Sequence, residues 1–206
     1  MSRVKGLHAE IIKDSIKKCL TNKGYAFFEK GDLNLNIVGI RNNSSRADVF
    51  DDTILVTYKK DGQWVVDTYP ATTEPGPGIL RKPINKKGTA ILVPDQYRAT
   101  YKIDTHGGKR RYTALCQRHA KVAVWRDKNK NSKPDYVGPL SNGMFGINIH
   151  RHWGPDEREY TGSVSAGCQV FQNSKDFYEF METCNNAADK WGNSFTYTLV
   201  MQDDIT

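Results

Sequence analysis

The chain lacks any long apolar run. Nowhere in its 206 residues does a hydrophobic segment approach the ~20 residues of a membrane-spanning helix. Residues 1–20 also lack the continuous apolar core of a secretory signal peptide. Low-complexity tracts are absent, which argues against disordered and collagen-like proteins. We therefore expect a globular protein without a membrane span, made in the cytoplasm and brought to its place of action by release or delivery.

Cysteine is scarce in this sequence. The four residues Cys19, Cys116, Cys168 and Cys184 are far apart and form no CxxC pair. Their spacing indicates neither a zinc site nor a disulfide scaffold, so we expect reduced thiols. The sequence signals no metal and no organic cofactor.

Acidic residues are scarce in one part of the chain. Residues 81–133 contain 15 Lys and Arg but only 3 Asp and Glu, so this stretch carries +12 against +7 for the whole chain. Such a stretch is typical of a surface that faces a polyanion. Interleaved aromatics such as Tyr97, Tyr101 and Trp125 leave nucleic-acid binding as an alternative. No nucleic-acid motif is present, so we do not expect that partner.

Helical periodicity is confined to two segments. Residues 8–24 place apolar side chains on one face and end at a glycine, which predicts an amphipathic N-terminal helix. We expect it to pack on the main domain, with a partner or a membrane surface as the alternative. The second helix follows Ser174, a predicted N-cap, and has Phe177, Phe180, Met181 and Cys184 on one face.

Between these helices the sequence has the pattern of strands. Short runs rich in β-branched and aromatic residues alternate with Gly, Pro, Asn and Asp, and Asp61-Gly62 predicts a hairpin. The predicted strands are 35–41, 52–59, 63–69, 89–93, 112–117, 121–127 and 145–150. Residues 70–78 are predicted to be a loop, and residues 194–201 a last strand. The expected fold is α+β and mainly β. It divides into an N-terminal helix or appendage, residues 1–34, and a main domain, residues 35–206.

One loop resembles a calcium site only in part. Residues 127–135, DKNKNSKPD, have oxygen-bearing side chains at the first, third, fifth and ninth positions of a calcium loop. The sixth-position glycine and the closing glutamate are absent, and three lysines are present. We therefore predict a turn rich in Asn and Asp, with calcium as the alternative.

The residues with the clearest potential chemistry lie in INIHRHWGPDEREYTGSVSAGCQVF, residues 147–171. A cysteine that attacks a carbonyl carbon needs a nearby base and hydrogen-bond donors for the oxyanion. Gly167 lets a substrate approach the backbone, so the N–H groups of Gly167 and Cys168 are candidate donors. His150 and His152 share one strand parity, so periodicity alone does not choose the base.

A known family carries a similar pattern. Ile-His, a polar stretch and then Ser-x-Gly-Cys resembles the catalytic motif of the L,D-transpeptidase catalytic domain family, and the matching residues are His150, Ser165, Gly167 and Cys168. The resemblance implies a β-sandwich-like fold, with Cys168 as nucleophile, His150 as base and Ser165 as support for the loop. It also implies that the partner is bacterial peptidoglycan, cut at an L,D bond of its stem peptide.

The chain departs from the family around this motif. Ala166 stands where a histidine or another large polar residue is usual, and Gln169 and Val170 replace the usual pair after the cysteine. Three residues that flank the motif are expected to contact the substrate: Arg151, His152 and Gln169.

The stretch 154–162 is expected to be a mobile cover. Its acidic residues Asp156, Glu157 and Glu159 would repel a second anionic peptide. Net cleavage in a lytic role, as in a phage endolysin or an injected effector, is therefore the expected activity. Crosslink formation by transpeptidation is the first alternative. A non-catalytic module that binds nucleic acid or the wall is the second.

Overall fold

The computed structural model describes residues 1–43, 46–109, 111–154 and 157–205. The strands are β1 (Ser2–Lys5), β2 (Asn36–Arg41), β3 (Asp52–Lys60), β4 (Gln63–Thr72), β5 (Thr89–Leu92), β6 (Gln96–His106), β7 (Tyr112–Gln117), β8 (Val122–Asp127), β9 (Ser141–Gly143), β10 (Ile149–Arg151), β11 (Gln169–Phe171) and β12 (Phe195–Met201). The α-helices are α1 (Leu7–Asn22), α2 (Pro77–Arg81) and α3 (Ser174–Trp191), and a short 3-10 helix spans Gln202–Asp204. The prediction of an α+β, mainly β fold is confirmed.

The main sheet closes on itself. Its strands follow the order β1-β4-β11-β10-β7-β6-β12-β2-β3, and β3 also pairs with β4. All of these strands except β1 therefore form a ring, with β1 attached to β4 outside it. A second, three-stranded sheet has the order β5-β8-β9. In the main sheet β10 pairs with β11, and β12 with β2, in parallel; the other pairs are antiparallel.

The predicted Asp-Gly hairpin is confirmed and joins the two longest neighbouring strands of the ring. Lys60 pairs with Gln63, and Asp61 and Gly62 both have positive φ, 52° and 76°. Two consecutive positive φ angles give a turn whose twist matches that of the flanking strands. This hairpin aligns β3 and β4, which close the ring.

The main core lies where α3 covers one part of the closed sheet. Phe177, Phe180 and Cys184 of α3 are almost fully buried, as predicted from their helical spacing. Phe171 of β11 packs against Phe177 and Phe180, with ring centroids 5.5 and 5.0 Å apart. Each buried aromatic side chain contributes on the order of 2–3 kcal/mol of hydrophobic stabilisation. This packing fixes β11, the strand that follows Cys168.

Residues 1–34 contribute β1 and α1, which pack on the sheet. Ala9, Ile16 and Leu20 of α1 lie in a second apolar cluster with Val38, Leu55 and Val66 of the sheet. The helix predicted over residues 8–24 is confirmed. In the described part of the chain, no helix combines the length and the apolar character that crossing a bilayer requires.

The segment 70–78 is not a loop throughout, contrary to the prediction. β4 continues through Pro70. The part of β4 that pairs with β1 ends at Thr68, and the part that pairs with β11 begins at Ala71, so Pro70 lies between them. Proline is tolerated where a ladder is interrupted in this way. α2 then begins at Pro77, whose fixed φ suits the first turn of a helix.

The N-cap of α3 is Asn173, not the predicted Ser174. The Asn173 side chain accepts hydrogen bonds from the N–H groups of Lys175 and Asp176 at 2.8 and 3.4 Å. The Ser174 hydroxyl donates instead to the Gly154 carbonyl at 2.8 Å. Ser174 therefore ties the start of α3 to the segment that follows β10.

Candidate active site

Cys168 lies directly before β11 and is partly exposed. The Cys168 sulfur accepts a hydrogen bond from the Asn148 backbone N–H, and the thiol donates to the Gly146 carbonyl, both at 3.4 Å. All four cysteines fall in the described part of the chain, and the other three are buried. Cys168 is therefore the thiol that a solvent-borne molecule reaches most easily.

His150 lies on β10, the strand next to Cys168. The parallel register pairs Ile149 with Gln169 and His150 with Val170, and the Gln169 N–H donates to the Asn148 carbonyl at 2.9 Å. Because side chains alternate along a strand, the position of Cys168 falls on the same face as His150. The pairing of β10 with β11 thus assigns the predicted nucleophile and base to one face of adjacent strands, two positions apart in the register.

The tautomer of His150 follows from its hydrogen bond. Nδ1 is 2.7 Å from the Arg151 carbonyl oxygen, which only accepts, so Nδ1 carries the proton. The Tyr112 hydroxyl donates to the same carbonyl at 3.0 Å and is 3.2 Å from Nδ1. Nε2 is therefore unprotonated and has the lone pair that a general base requires.

Burial holds both groups in their uncharged forms. Burial, with a smaller contribution from the charge of His106, lowers the pKa of His150 to about 3. Cys168 is partly exposed, but the protein around its thiol excludes enough water to raise the pKa of the thiol to about 11, an effect that the Asn148 N–H opposes. At neutral pH the resting site therefore contains a thiol and a neutral imidazole, and the proton must transfer during the reaction.

The turn before Cys168 is held by Ser165. The Ser165 hydroxyl donates to the Cys168 carbonyl at 2.8 Å and accepts from the Gly167 N–H at 3.1 Å. This corrects one expectation, because the Gly167 N–H is engaged within the turn and does not face an oxyanion. The Cys168 N–H has no acceptor within the described residues, so it remains the available donor of the predicted pair.

Gly167 is required by close packing as well as by conformation. Its φ is +115°, and a Cβ at this position would lie 2.3 Å from the Ala90 carbonyl oxygen. We expect Gly167→Ala to lower the free energy of unfolding by roughly 2 kcal/mol or more and to displace Cys168. Denaturant unfolding measures the loss. Gly162→Ala is the matched control, since Gly162 also has positive φ but nothing within 4 Å of the added Cβ; an equal loss in both variants would contradict this account.

Three residues that the sequence did not point to complete the site. The imidazole of His106, at the end of β6, stacks on that of His150 with ring centroids 4.2 Å apart and 21° between planes. The Asn148 side-chain amide donates to His106 Nδ1 at 2.9 Å, and Tyr112, the register partner of His106, contacts both imidazoles. Only the pairing of His106 with Tyr112 across β6 and β7 brings them together, and β6 was not predicted.

The residues expected to contact substrate differ in access. Arg151 is partly exposed, and its guanidinium donates to the carbonyls of His152 and Gly154 and lies over the Tyr112 ring at 4.5 Å. His152 is 1% exposed, with Nδ1 2.9 Å from a carbonyl oxygen. Gln169 is fully buried, and its side chain bonds Gly167 and Tyr197. His152 and Gln169 would have to leave these positions to touch a substrate, so Arg151 is the accessible one of the three.

The segment expected to be a mobile cover is anchored in its described part. The Arg158 N–H donates to the Gln172 carbonyl at 3.1 Å, and the Thr161 N–H donates to the Asp48 carbonyl at 3.0 Å. Glu157 and Glu159 are exposed, as expected for charges that face an approaching molecule. Asp156 lies outside the described residues.

The exposure and pKa of Cys168 predict its reactivity. With limiting iodoacetamide, we expect Cys168 to be alkylated at least tenfold faster than Cys19, Cys116 or Cys184, because those thiols are buried. With the pKa of Cys168 raised to about 11, the rate should rise about tenfold per pH unit between pH 7 and 10, in step with the thiolate fraction. Peptide mass spectrometry measures both. A rate plateau beginning near pH 6 would show a preformed thiolate and contradict this reading.

The loop 127–135 uses its own oxygens. The Asp127 carboxylate accepts from the N–H groups of Asn129 and Asp135, and the Asn129 and Asn131 side chains accept from N–H groups within the loop. The prediction of a turn rich in Asn and Asp is therefore confirmed. Within the ranges that the structure describes, no group of three His, Cys, Asp or Glu side chains is arranged to hold a metal ion.

The site is thus a partly exposed thiol, a neutral imidazole with a fixed tautomer and a free backbone donor, arranged on two parallel strands. Such a set is able to perform acyl transfer by nucleophilic catalysis. Comparison of the chain with protein-family models, with curated proteins and with solved structures finds no match in any of the three.

Proposed function

We propose that this protein is a cysteine enzyme that cleaves the stem peptide of bacterial peptidoglycan at an L,D bond. The observation that supports the proposal is the parallel pairing of β10 with β11, whose register assigns Cys168 and His150 to one face of adjacent strands, together with the Arg151 carbonyl that fixes Nδ1–H. The identity of the substrate rests on the resemblance of His150, Ser165, Gly167 and Cys168 to the L,D-transpeptidase motif.

The fold supports the same proposal at a finer level. We infer an L,D-transpeptidase-like catalytic domain from a mainly β core and a helix that follows the cysteine. The resemblance implied a β-sandwich-like fold, whereas the main sheet closes into a ring. α3 begins six residues after Cys168 and packs on β11 through Phe177 and Phe180. The motif loop is also held from the other side, because the Gly76 N–H donates to the Ser165 carbonyl at 2.9 Å.

In the first half of the reaction Cys168 becomes acylated. His150 Nε2 takes the thiol proton as Sγ attacks the carbonyl carbon of the L,D bond, and the Cys168 N–H stabilises the oxyanion. The C–N bond then breaks, and the leaving amine of the D-residue takes the proton from Nε2. The products are a thioester on Cys168 and, from a tetrapeptide stem, free D-alanine.

The second half of the reaction restores the thiol. His150 Nε2 takes a proton from water, whose oxygen attacks the thioester carbonyl, and the C–S bond breaks with return of that proton to sulfur. The stack with His106 and the bond to the Arg151 carbonyl hold the imidazole in one orientation throughout. His106 is therefore a positioning residue for the base.

The surface charge near the site favours hydrolysis over crosslinking. Glu157 and Glu159 are exposed on the stretch between His150 and Cys168, where a second anionic stem peptide would approach. We expect a tetrapeptide muropeptide to yield mainly tripeptide and free D-alanine, measured by mass spectrometry of the products. The double variant Glu157→Gln/Glu159→Gln should raise the share of crosslinked product.

Two outcomes would contradict this proposal. If the principal product of the unaltered protein is crosslinked dimers, the activity is transpeptidation and not hydrolysis. If folded protein with reduced Cys168 causes no change in peptidoglycan fragments, the proposal that the protein is an enzyme is rejected.

A further inference from the structure

Two neighbouring loops carry a concentration of cations. Residues 81–88 and 128–133 contribute seven exposed Lys and Arg side chains, namely Arg81, Lys82, Lys86, Lys87, Lys128, Lys130 and Lys133. Within the described residues none of the seven is in an ion pair. The remaining Lys and Arg residues of the chain equal the 23 Asp and Glu residues in number, so this cluster accounts for the net charge of +7.

The two loops enclose a groove, which we call the basic cleft. Its volume is about 520 Å³, and its lining includes Arg81, Lys82, Ile84, Lys86, Lys128 and Lys130. Arg81 Nη1 donates to the Ser132 hydroxyl at 3.3 Å and so connects the two loops. The acidic residues next to the second loop are engaged locally, since Asp127 accepts backbone hydrogen bonds and Asp135 accepts one from Asn129. The cations therefore face solvent without neutralising partners.

The basic cleft is connected to the candidate active site by β5. Gly88 lines the cleft, and Ala90, two residues further on, presents the carbonyl oxygen that packs against Gly167. Two residues of extended chain span about 7 Å. A second connection runs through α2, because the Gly78 N–H donates to the Gly162 carbonyl at 3.2 Å. The cleft backbone at Gly88 is therefore two residues of extended chain from the contact with Gly167, the residue before Cys168.

We propose that the basic cleft binds carboxylates of neighbouring stem peptides on the peptidoglycan strand that the active site cuts. The inference rests on the proposed function for the identity of the polymer. Lysine ammonium groups on flexible stems suit carboxylates at irregular spacing, because they act as point charges without a fixed geometry. Among the described residues, the cleft lining contains no aromatic side chain and so no stacking platform of the kind typical of single-stranded nucleic-acid sites.

The test measures binding without turnover. Cys168→Ala protein is mixed with purified sacculi from which phosphodiester polymers have been stripped, and the bound fraction is measured across 50–500 mM NaCl. We expect binding that weakens with salt, because screened charges dominate it. Adding Lys82→Glu, Lys86→Glu, Lys128→Glu and Lys130→Glu should lower the affinity at least tenfold.

The matched control carries the same change in total charge elsewhere. Lys5→Glu, Lys18→Glu, Lys60→Glu and Lys175→Glu alter exposed lysines outside the cleft, and this variant should keep most of the binding. Equal losses in the two variants, or no loss in the cleft variant, would overturn the proposal. So would release of the protein from sacculi by single-stranded DNA at concentrations far below those of the sacculus carboxylates.

The two proposals fail separately. The sacculus assay reports on the cleft alone, since Cys168→Ala protein performs no acyl transfer. The muropeptide products of the unaltered protein report on the active site alone. If the muropeptide products form but binding to sacculi does not depend on the cleft lysines, the cleft proposal is rejected. If binding depends on the cleft lysines but no products form, the proposed enzyme activity is rejected.

Discussion

Cys168→Ala is expected to abolish product formation from muropeptides, with a fall of at least 10³-fold in rate. Removal of the nucleophile leaves no route to the acyl-enzyme, and only weak residual catalysis by the remaining site is expected. The fold should persist, because Cys168 is partly exposed and the hydrogen bonds of its Sγ are long, at 3.4 Å. Circular dichroism and thermal unfolding measure the fold, and mass spectrometry of the muropeptides measures the rate.

The control for this variant is a buried cysteine. Cys19 is part of the second apolar cluster, on the face of α1 that packs on the sheet, and Cys19→Ala removes its thiol. It should leave turnover unchanged and lower stability modestly. Near-normal turnover by Cys168→Ala would reject the cysteine mechanism altogether.

His150→Ala is expected to lower the rate by about 10²–10⁴-fold, the usual cost of a lost general base. Since burial lowers the pKa of His150 to about 3, the imidazole stays unprotonated and active as pH falls from 7 towards 4. The unaltered enzyme should therefore show no loss of activity through pH 6.5, where an ordinary histidine would become protonated. A pH–rate profile of kcat/KM measures this behaviour.

The companion variant separates the two histidines of the motif. His152 is buried, and its Nδ1 bonds the Trp153 carbonyl, so His152→Gln should lower stability more than rate. His150→Gln keeps the size of the side chain but removes the base. A larger rate loss in His152→Gln than in His150→Gln would mean that the base has been assigned to the wrong residue.

Local sequence signals predicted the regular elements well where they are self-contained. The spacing of apolar residues predicted α1 and the buried face of α3, and Asp61-Gly62 predicted the hairpin because two positive φ angles suit those residues. The strand β6 was not predicted, because it mixes exposed charges with Tyr97 and Tyr101, whose burial depends on β7 and β12. Its pattern becomes regular only within the closed sheet.

The candidate site shows the same division. The motif predicted His150, Ser165 and Cys168 as site residues because all three lie within one short stretch of the sequence. His106 contacts His150 from 44 positions away, and nothing in the local sequence around either residue encodes that stack. The engagement of the Gly167 N–H by Ser165 is equally a property of the folded turn, which a motif does not specify.

The most direct test of the central claim is to trap the acyl-enzyme. The purified protein is mixed with a defined tetrapeptide muropeptide, quenched in acid within milliseconds to seconds, digested and analysed by mass spectrometry. We expect an adduct on the peptide that contains Cys168, with the mass of the muropeptide less D-alanine, and no such adduct on Cys168→Ala protein. Release of D-alanine at the normal rate with no adduct at any time, or an adduct on another residue, would contradict the central claim.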